Sequence, residues 1–90
     1  MHRDLHNVDS LGVGMFLQTF LLALTARGLG TCVQVSIAGY PEIVREQLNI
    51  PDEYVILCGL AIGYLDPTFA ANNLRTHRNP IEQNVVFHDT

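Results

Sequence analysis

The stretch Ser10-Leu-Gly-Val-Gly-Met-Phe-Leu-Gln-Thr-Phe-Leu-Leu-Ala-Leu-Thr-Ala-Arg-Gly-Leu-Gly-Thr-Cys32 decides how the chain is read. From Leu11 to Arg27 nearly every residue is apolar or small, with Gln18, Thr19 and Thr25 as the interruptions. Asp9 or Ser10 offers the short side-chain oxygen that caps a first helical turn. Arg27 favours the negative end of a helix, and Gly28 is a natural residue for the left-handed position that ends one. The spacing predicts a helix over 11–27, about 26 Å long at 1.5 Å per residue. Its apolar character runs almost all round, so it spans a membrane or sits in the middle of something. The interrupted run and the soluble-type caps favour a central buried helix.

The polar residues 1–9 read as a lead-in to this helix. After it, Gly28-Leu29-Gly30-Thr31-Cys32 makes a tight turn with close backbone approach. Val33 to Ile37 alternates and reads as a short strand or an extended loop. Gly39-Tyr40-Pro41 is a turn. Pro41 to Leu48 reads as a short amphipathic helix, with Ile43, Val44 and Leu48 inward and Glu42, Arg45, Glu46 and Gln47 outward. Asn49 stops it in the left-handed conformation, and Pro51 prevents continuation. Tyr54 to Gly63 is a continuous apolar run of strand length, the pattern of a strand buried on both faces; a second buried helix is the competing reading. Asp66-Pro67 then breaks the chain. The rest reads as an extended arm, with Val85-Val86-Phe87 as a candidate terminal strand. The fold class expected is α+β: a central buried helix packed on a sheet, residues 10–64 forming the core and 65–90 the arm, within one unit of 90 residues.

Composition narrows the function. Apolar residues make up 48% and charged residues 16%, which excludes a disordered chain. A net charge of −4 disfavours general binding to nucleic acid or an anionic membrane. The absence of lysine removes a P-loop lysine and any Schiff-base mechanism. A chain this short buries only about 60% of its unfolded surface, so nearly half of its residues being apolar predicts a second chain covering some of them. Cys32 and Cys58 form no CxxC pair. With no signal-peptide pattern, they read as two free, buried thiols in a reducing cytoplasm.

Four histidines, His2, His6, His77 and His88, and the two cysteines form no metal-ligand constellation, so no metal is expected. Cys32 has no local histidine to activate it and reads as a small apolar residue rather than a nucleophile. Glu42 and Glu46 are the wet face of the short helix. Arg75 and Arg78 form a local cationic pair in an acidic chain, among Asn72, Asn73, Thr76 and His77. Guanidinium forks bind phosphate in a bidentate manner, although a solvated face accounts for the same residues.

Taken in order, several features resemble the C-terminal half of the FMN-dependent nitroreductase family. They are the helix running into Ala26-Arg-Gly-Leu-Gly-Thr-Cys32, the segment Tyr40-Pro-Glu-Ile-Val-Arg-Glu-Gln-Leu-Asn-Ile-Pro51, the strand end Gly59-Leu-Ala-Ile-Gly-Tyr64 and the tail Asn73-Leu-Arg-Thr-His-Arg-Asn-Pro80. The resemblance spans nearly all of residues 10–88. It implies an intertwined homodimer with FMN at the subunit interface and a tail that wraps the other subunit. It also implies a ping-pong reaction in which NAD(P)H reduces FMN, which then reduces a nitroaromatic, a quinone or a similar acceptor. The flavin carries the chemistry, so no catalytic side chain is expected. Val33, Gln34, Val35 and Ser36 match the stretch along the flavin ring, with a backbone N–H near N5 and Gln34 adding a side-chain contact. Arg78 matches the tail arginine that contacts the FMN phosphate, and Arg75 is a second candidate. Family members are roughly twice this length, and their N-terminal half carries another basic phosphate-binding segment and much of the sheet. The chain is therefore either a piece of such a protein or a half-domain completed by association with itself or with an N-terminal partner. The alternative function is a non-catalytic remnant or a dimerisation module of that family.

Overall fold

Local capping chemistry sets the ends of most elements in the computed structural model, which describes Met1 and residues 6–89. His2, Arg3 and Thr90 lie outside the described residues, as does the side chain of His6.

Helix α1 spans His6–Ala26. It starts five residues ahead of the expected Leu11, so much of the supposed lead-in is helical. Asp9 is no cap: it lies in the first turn, where a carboxylate opposes the positive end of the helix dipole. Ser10 is internal, and its hydroxyl donates to Met1 Sδ at 3.1 Å. The polar residues inside this apolar helix are partly self-satisfied. Thr19 Oγ1 donates to the Met15 carbonyl at 3.0 Å, and Thr25 Oγ1 to the Leu21 carbonyl at 2.9 Å. At the far end Gly28 takes φ +78°. The Leu29 N–H donates to Leu24 O and the Gly28 N–H to Thr25 O, both at 3.0 Å, which is the Schellman closure the glycine predicts.

Strand β1, Gly30–Gln34, follows at once. It lies three residues earlier than expected, because Ser36–Gly39 winds into a 3-10 turn instead of extending. Strand β2, Gly59–Gly63, pairs antiparallel to β1 in the register Gly30↔Gly63, Cys32↔Ala61 and Gln34↔Gly59. The expected strand from Tyr54 is thus halved. Residues 55–58 are not in β2; Val55 instead exchanges backbone hydrogen bonds with Met1 in both directions. Two close approaches fix the ladder. A Cβ on Gly30 would lie 3.3 Å from Gly63 O, and one on Gly59 would lie 3.2 Å from Ile37 Cγ2.

Between the strands lies α2, Pro41–Leu48. Pro41 opens it and Asn49 closes it at φ 54°, ψ 45°, with the Ile50 N–H donating to Arg45 O at 3.0 Å. Both ends agree with the sequence; the facing does so only at Val44, which is half-buried. Ile43 and Leu48 are exposed, whereas Arg45 is half-buried and its Nη2 donates to the Tyr54 carbonyl at 3.0 Å.

The tail carries 3-10 turns at Ala70–Asn73 and Ile81–Gln83, and its described residues are exposed. Residues 85–87 join no strand.

Burial is where sequence and structure part most. On a wheel of about 3.6 residues per turn, Leu17, Leu21 and Leu24 share one side of α1, and Val8, Leu11, Met15 and Leu22 the other. The first group is half-buried. The second is 61–78% exposed. Among the described residues none is fully buried, so α1 is not a buried central helix within this chain, and β2 is not buried on both faces. Cys32 is exposed and Cys58 half-buried, and both are free thiols. The physical reason is the same throughout: the described chain is too open to cover both faces of any apolar element.

The extent of this exposure is measurable. The accessible surface is 7943 Å², against about 5,200 Å² for a folded monomer of 10.0 kDa. The radius of gyration is 17.0 Å, against about 12 Å for a compact domain of this length. The segment Asn7–Ala26 also has the length and mean hydropathy, 1.5, of a membrane span.

Candidate functional site

Val33 and Gln34 end β1, Val35 turns the corner at φ −77°, ψ −28°, and Ser36 opens the 3-10 turn. All four are exposed. They form a continuous open edge rather than a closed pocket. The Ala38 N–H donates back to Val35 O at 3.0 Å, which leaves the N–H groups of Ser36 and Ile37 as the unpaired donors that begin any helical turn. Gly59, opposite Gln34, permits this corner: Ile37 lies over the space a larger residue would fill.

The two arginines lie on the arm, beyond the turn at Ala70–Asn73. Both are exposed. Arg78 Nη1 donates to Thr76 Oγ1 at 2.7 Å and to the His77 carbonyl at 2.9 Å, so one edge of the guanidinium is held locally while the other faces outward. Among the described residues Arg75 makes no hydrogen bond or ion pair. The structure therefore assembles two separate groups, a platform at 33–36 and a cationic pair at 75–78. No hydrogen bond or ion pair among the described residues joins them.

Sequence reading missed a further feature of the sheet. An open groove of about 390 Å³ runs from Thr31 and Cys32 across Ala61 and Gly63 to Tyr64 and Phe69. The corner that walls it is held by Asp66, whose Oδ1 accepts from the Thr68 hydroxyl at 2.7 Å and the Thr68 N–H at 2.9 Å. Those two bonds, the hydroxyl first, hold the Asp66 carboxyl below its ordinary pKa. The Asp-Pro-Thr sequence signals a turn, but not which side chain holds it. Among the described residues no group of three His, Cys, Asp or Glu side chains gathers to hold a metal, and His77 and His88 are in no such group.

The family model of the nitroreductases matches residues 2–64, which carry the helix, the glycine turn and both strands. The chain belongs to the nitroreductase family. It is 41% identical over 75 residues to a 4-nitrobenzoate reductase of Pseudomonas putida, covering 83% of this chain and 33% of that protein. It is 31% identical over 87 residues to a nitrobenzene nitroreductase of Ectopseudomonas oleovorans, covering 97% of this chain and 38% of that protein. The chain thus spans about a third of the length of these relatives, a smaller share than the half the resemblance implies. Its α+β arrangement, a long helix beside a two-stranded antiparallel sheet, is that of a partial nitroreductase-like fold.

Nitroreductases generally depend on a flavin, and the residues present fit one. Val33 and Val35 offer exposed apolar surface to a flat ring, and the Gln34 carboxamide and the free N–H groups at the corner suit its polar edge. Two exposed guanidinium groups, Arg78 and Arg75, the latter without a partner among the described residues, suit a phosphate.

Proposed function

We propose that this chain is part of an FMN-dependent NAD(P)H oxidoreductase that reduces nitroaromatic, quinone or similar acceptors. The observation that carries the reading is the family match over 2–64, together with curated relatives whose names specify nitroaromatic reduction. When bound, the flavin supplies the two-electron chemistry between nicotinamide and acceptor. The chain's own residues bind and orient. Val33 and Val35 cover a ring face and exclude water from it. Gln34 and the N–H groups at the Ser36 corner donate to the ring edge. Arg78, seconded by Arg75, neutralises the phosphate.

Completion comes from a second copy in this reading. The surface excess over a folded monomer is about 2,700 Å². Two protomers each covering that much bury roughly 5,000 Å² in total, the size of an obligate dimer interface. The outer face of α1 is the natural centre of that contact, which favours a protein seam over a bilayer for this helix. A missing N-terminal segment would cover the same surface, and the free thiols of Cys32 and Cys58 suit a reducing cytoplasm. The same exposed face also suits the second reading, a dimerisation module without turnover.

The test is NAD(P)H oxidation by the purified protein with added FMN and 4-nitrobenzoate as acceptor. Acceptor-dependent turnover supports the oxidoreductase; a dimer that holds no flavin and turns nothing over supports the module.

A further inference from the structure

The arm that carries Arg75 and Arg78 leaves the sheet at a corner, and that corner is the most densely tied part of the tail. Asp66 holds it at both of its acceptor groups. Its carboxylate takes the two bonds from Thr68, while its backbone carbonyl accepts from Asn72 Nδ2 at 2.7 Å and from the Phe69 N–H at 3.3 Å. The turn continues through the Asn72 N–H to Phe69 O at 3.1 Å and the Leu74 N–H to Ala71 O at 3.2 Å. Pro67 fixes one more dihedral. One residue later comes Arg75.

We infer that Asp66 is a positioning residue for the arm: through the two Thr68 bonds to its carboxylate it sets the direction in which Arg75 and Arg78 leave the end of β2. This rests on reading those arginines as phosphate contacts. Asp66 itself is not a ligand, since a carboxylate repels a phosphate. Between Leu74 and Pro80 the described hydrogen bonds are Arg78's own, to Thr76 and His77, so the corner is what orients the whole segment. Without it, a flexible run of ten residues spreads its end over roughly 17 Å, which dilutes the guanidinium groups around any bound anion.

The sign of the effect separates positioning from charge. Removing a negative charge near a phosphate strengthens binding if charge is all that matters; losing the corner weakens it. The experiment measures FMN affinity of the purified protein by flavin fluorescence, and amide hydrogen exchange without FMN, for wild type, Asp66→Ala and Asp66→Asn. Asp66→Ala is expected to lower FMN affinity about tenfold, the size of one to two lost hydrogen bonds, and to speed exchange at Thr68 and Phe69 and across 72–78. Asp66→Asn keeps an acceptor oxygen at the same place and is expected to bind FMN at least as well as wild type, with exchange unchanged. Unchanged or tighter binding by Asp66→Ala overturns the inference, as does an Asp66→Asn protein as impaired as the alanine variant. If wild type itself takes up no FMN, the reading of the arginines fails, and exchange alone decides the rest: equal rates across 67–78 in wild type and Asp66→Ala overturn the positioning role.

Discussion

The two faces of α1 carry similar residues and meet opposite fates. Leu17, Leu21 and Leu24 lie half-buried, while Val8, Leu11, Met15 and Leu22 stand 61–78% exposed. A helix that ends in water needs polar residues on its outer face; this one has leucine, methionine and phenylalanine, and its threonines bond back to their own helix. The contrast teaches that the described chain covers only one face of α1 and leaves an equally apolar face open.

A charge on the outer face should have the largest effect. Met15→Glu adds an exposed carboxylate to the isolated chain, a change within about 0.5 kcal/mol for an open surface. In a contact between copies it buries an unpaired charge, at a cost of several kcal/mol. The expected outcome in sedimentation is a shift from dimer to monomer. The same mutation on an intact dimer, with no shift, places the seam elsewhere.

Next comes Arg78→Ala. A charge-assisted pair with phosphate contributes about 1.5–3 kcal/mol, so FMN affinity should fall roughly 10- to 150-fold. Arg75→Ala should cost less. Equal affinity in all three proteins removes the arm from the site.

On the inner face, Leu21→Ala should destabilise the chain by about 1–2 kcal/mol, less than a fully buried leucine because the site is half-open. Denaturant unfolding measures it. At the end of the same helix, Gly28→Ala should cost about 1 kcal/mol, since alanine resists φ +78°. Asn49, at φ 54°, already tolerates that region, so Asn49→Gly should be close to neutral.

The smallest effect concerns acid. The hydrogen-bonded Asp66 carboxyl titrates below its ordinary 3.8, so its bonds to Thr68 are fully present above that value and are lost as pH falls through the lowered one. Amide exchange at Thr68, corrected for intrinsic rates, should be flat from pH 5 to 8 and rise only in stronger acid. A change between pH 5 and 7 contradicts the carboxylate turn.

These contrasts also explain what was legible in the sequence. Helix α2 was readable to the residue because its ends depend on Pro41 and Asn49 alone, and the Gly28 closure for the same reason. The start of α1 was not: Asp9 and Ser10 are good caps in isolation, but they are equally at home inside a first turn once Val8 precedes them. Strand β2 came out shorter because an apolar run records the wish for burial, and Val55 bonds to Met1 rather than to β1. Arg45 turned inward because a carbonyl at Tyr54 lay within reach of its guanidinium, a pairing nine residues apart with no sequence signature. The stretch 33–36 and the arm arginines were singled out through family resemblance rather than local chemistry, and so the corner at Asp66, which links the sheet to the arm, was passed over.

The most direct measurement is gel filtration of the purified chain after incubation with FMN, with visible absorbance and mass recorded across the peak. A flavin band travelling with a protein peak of twice the chain's 10.0 kDa is the predicted result. A colourless peak at the mass of a single chain contradicts both the flavin site and its completion by a second copy.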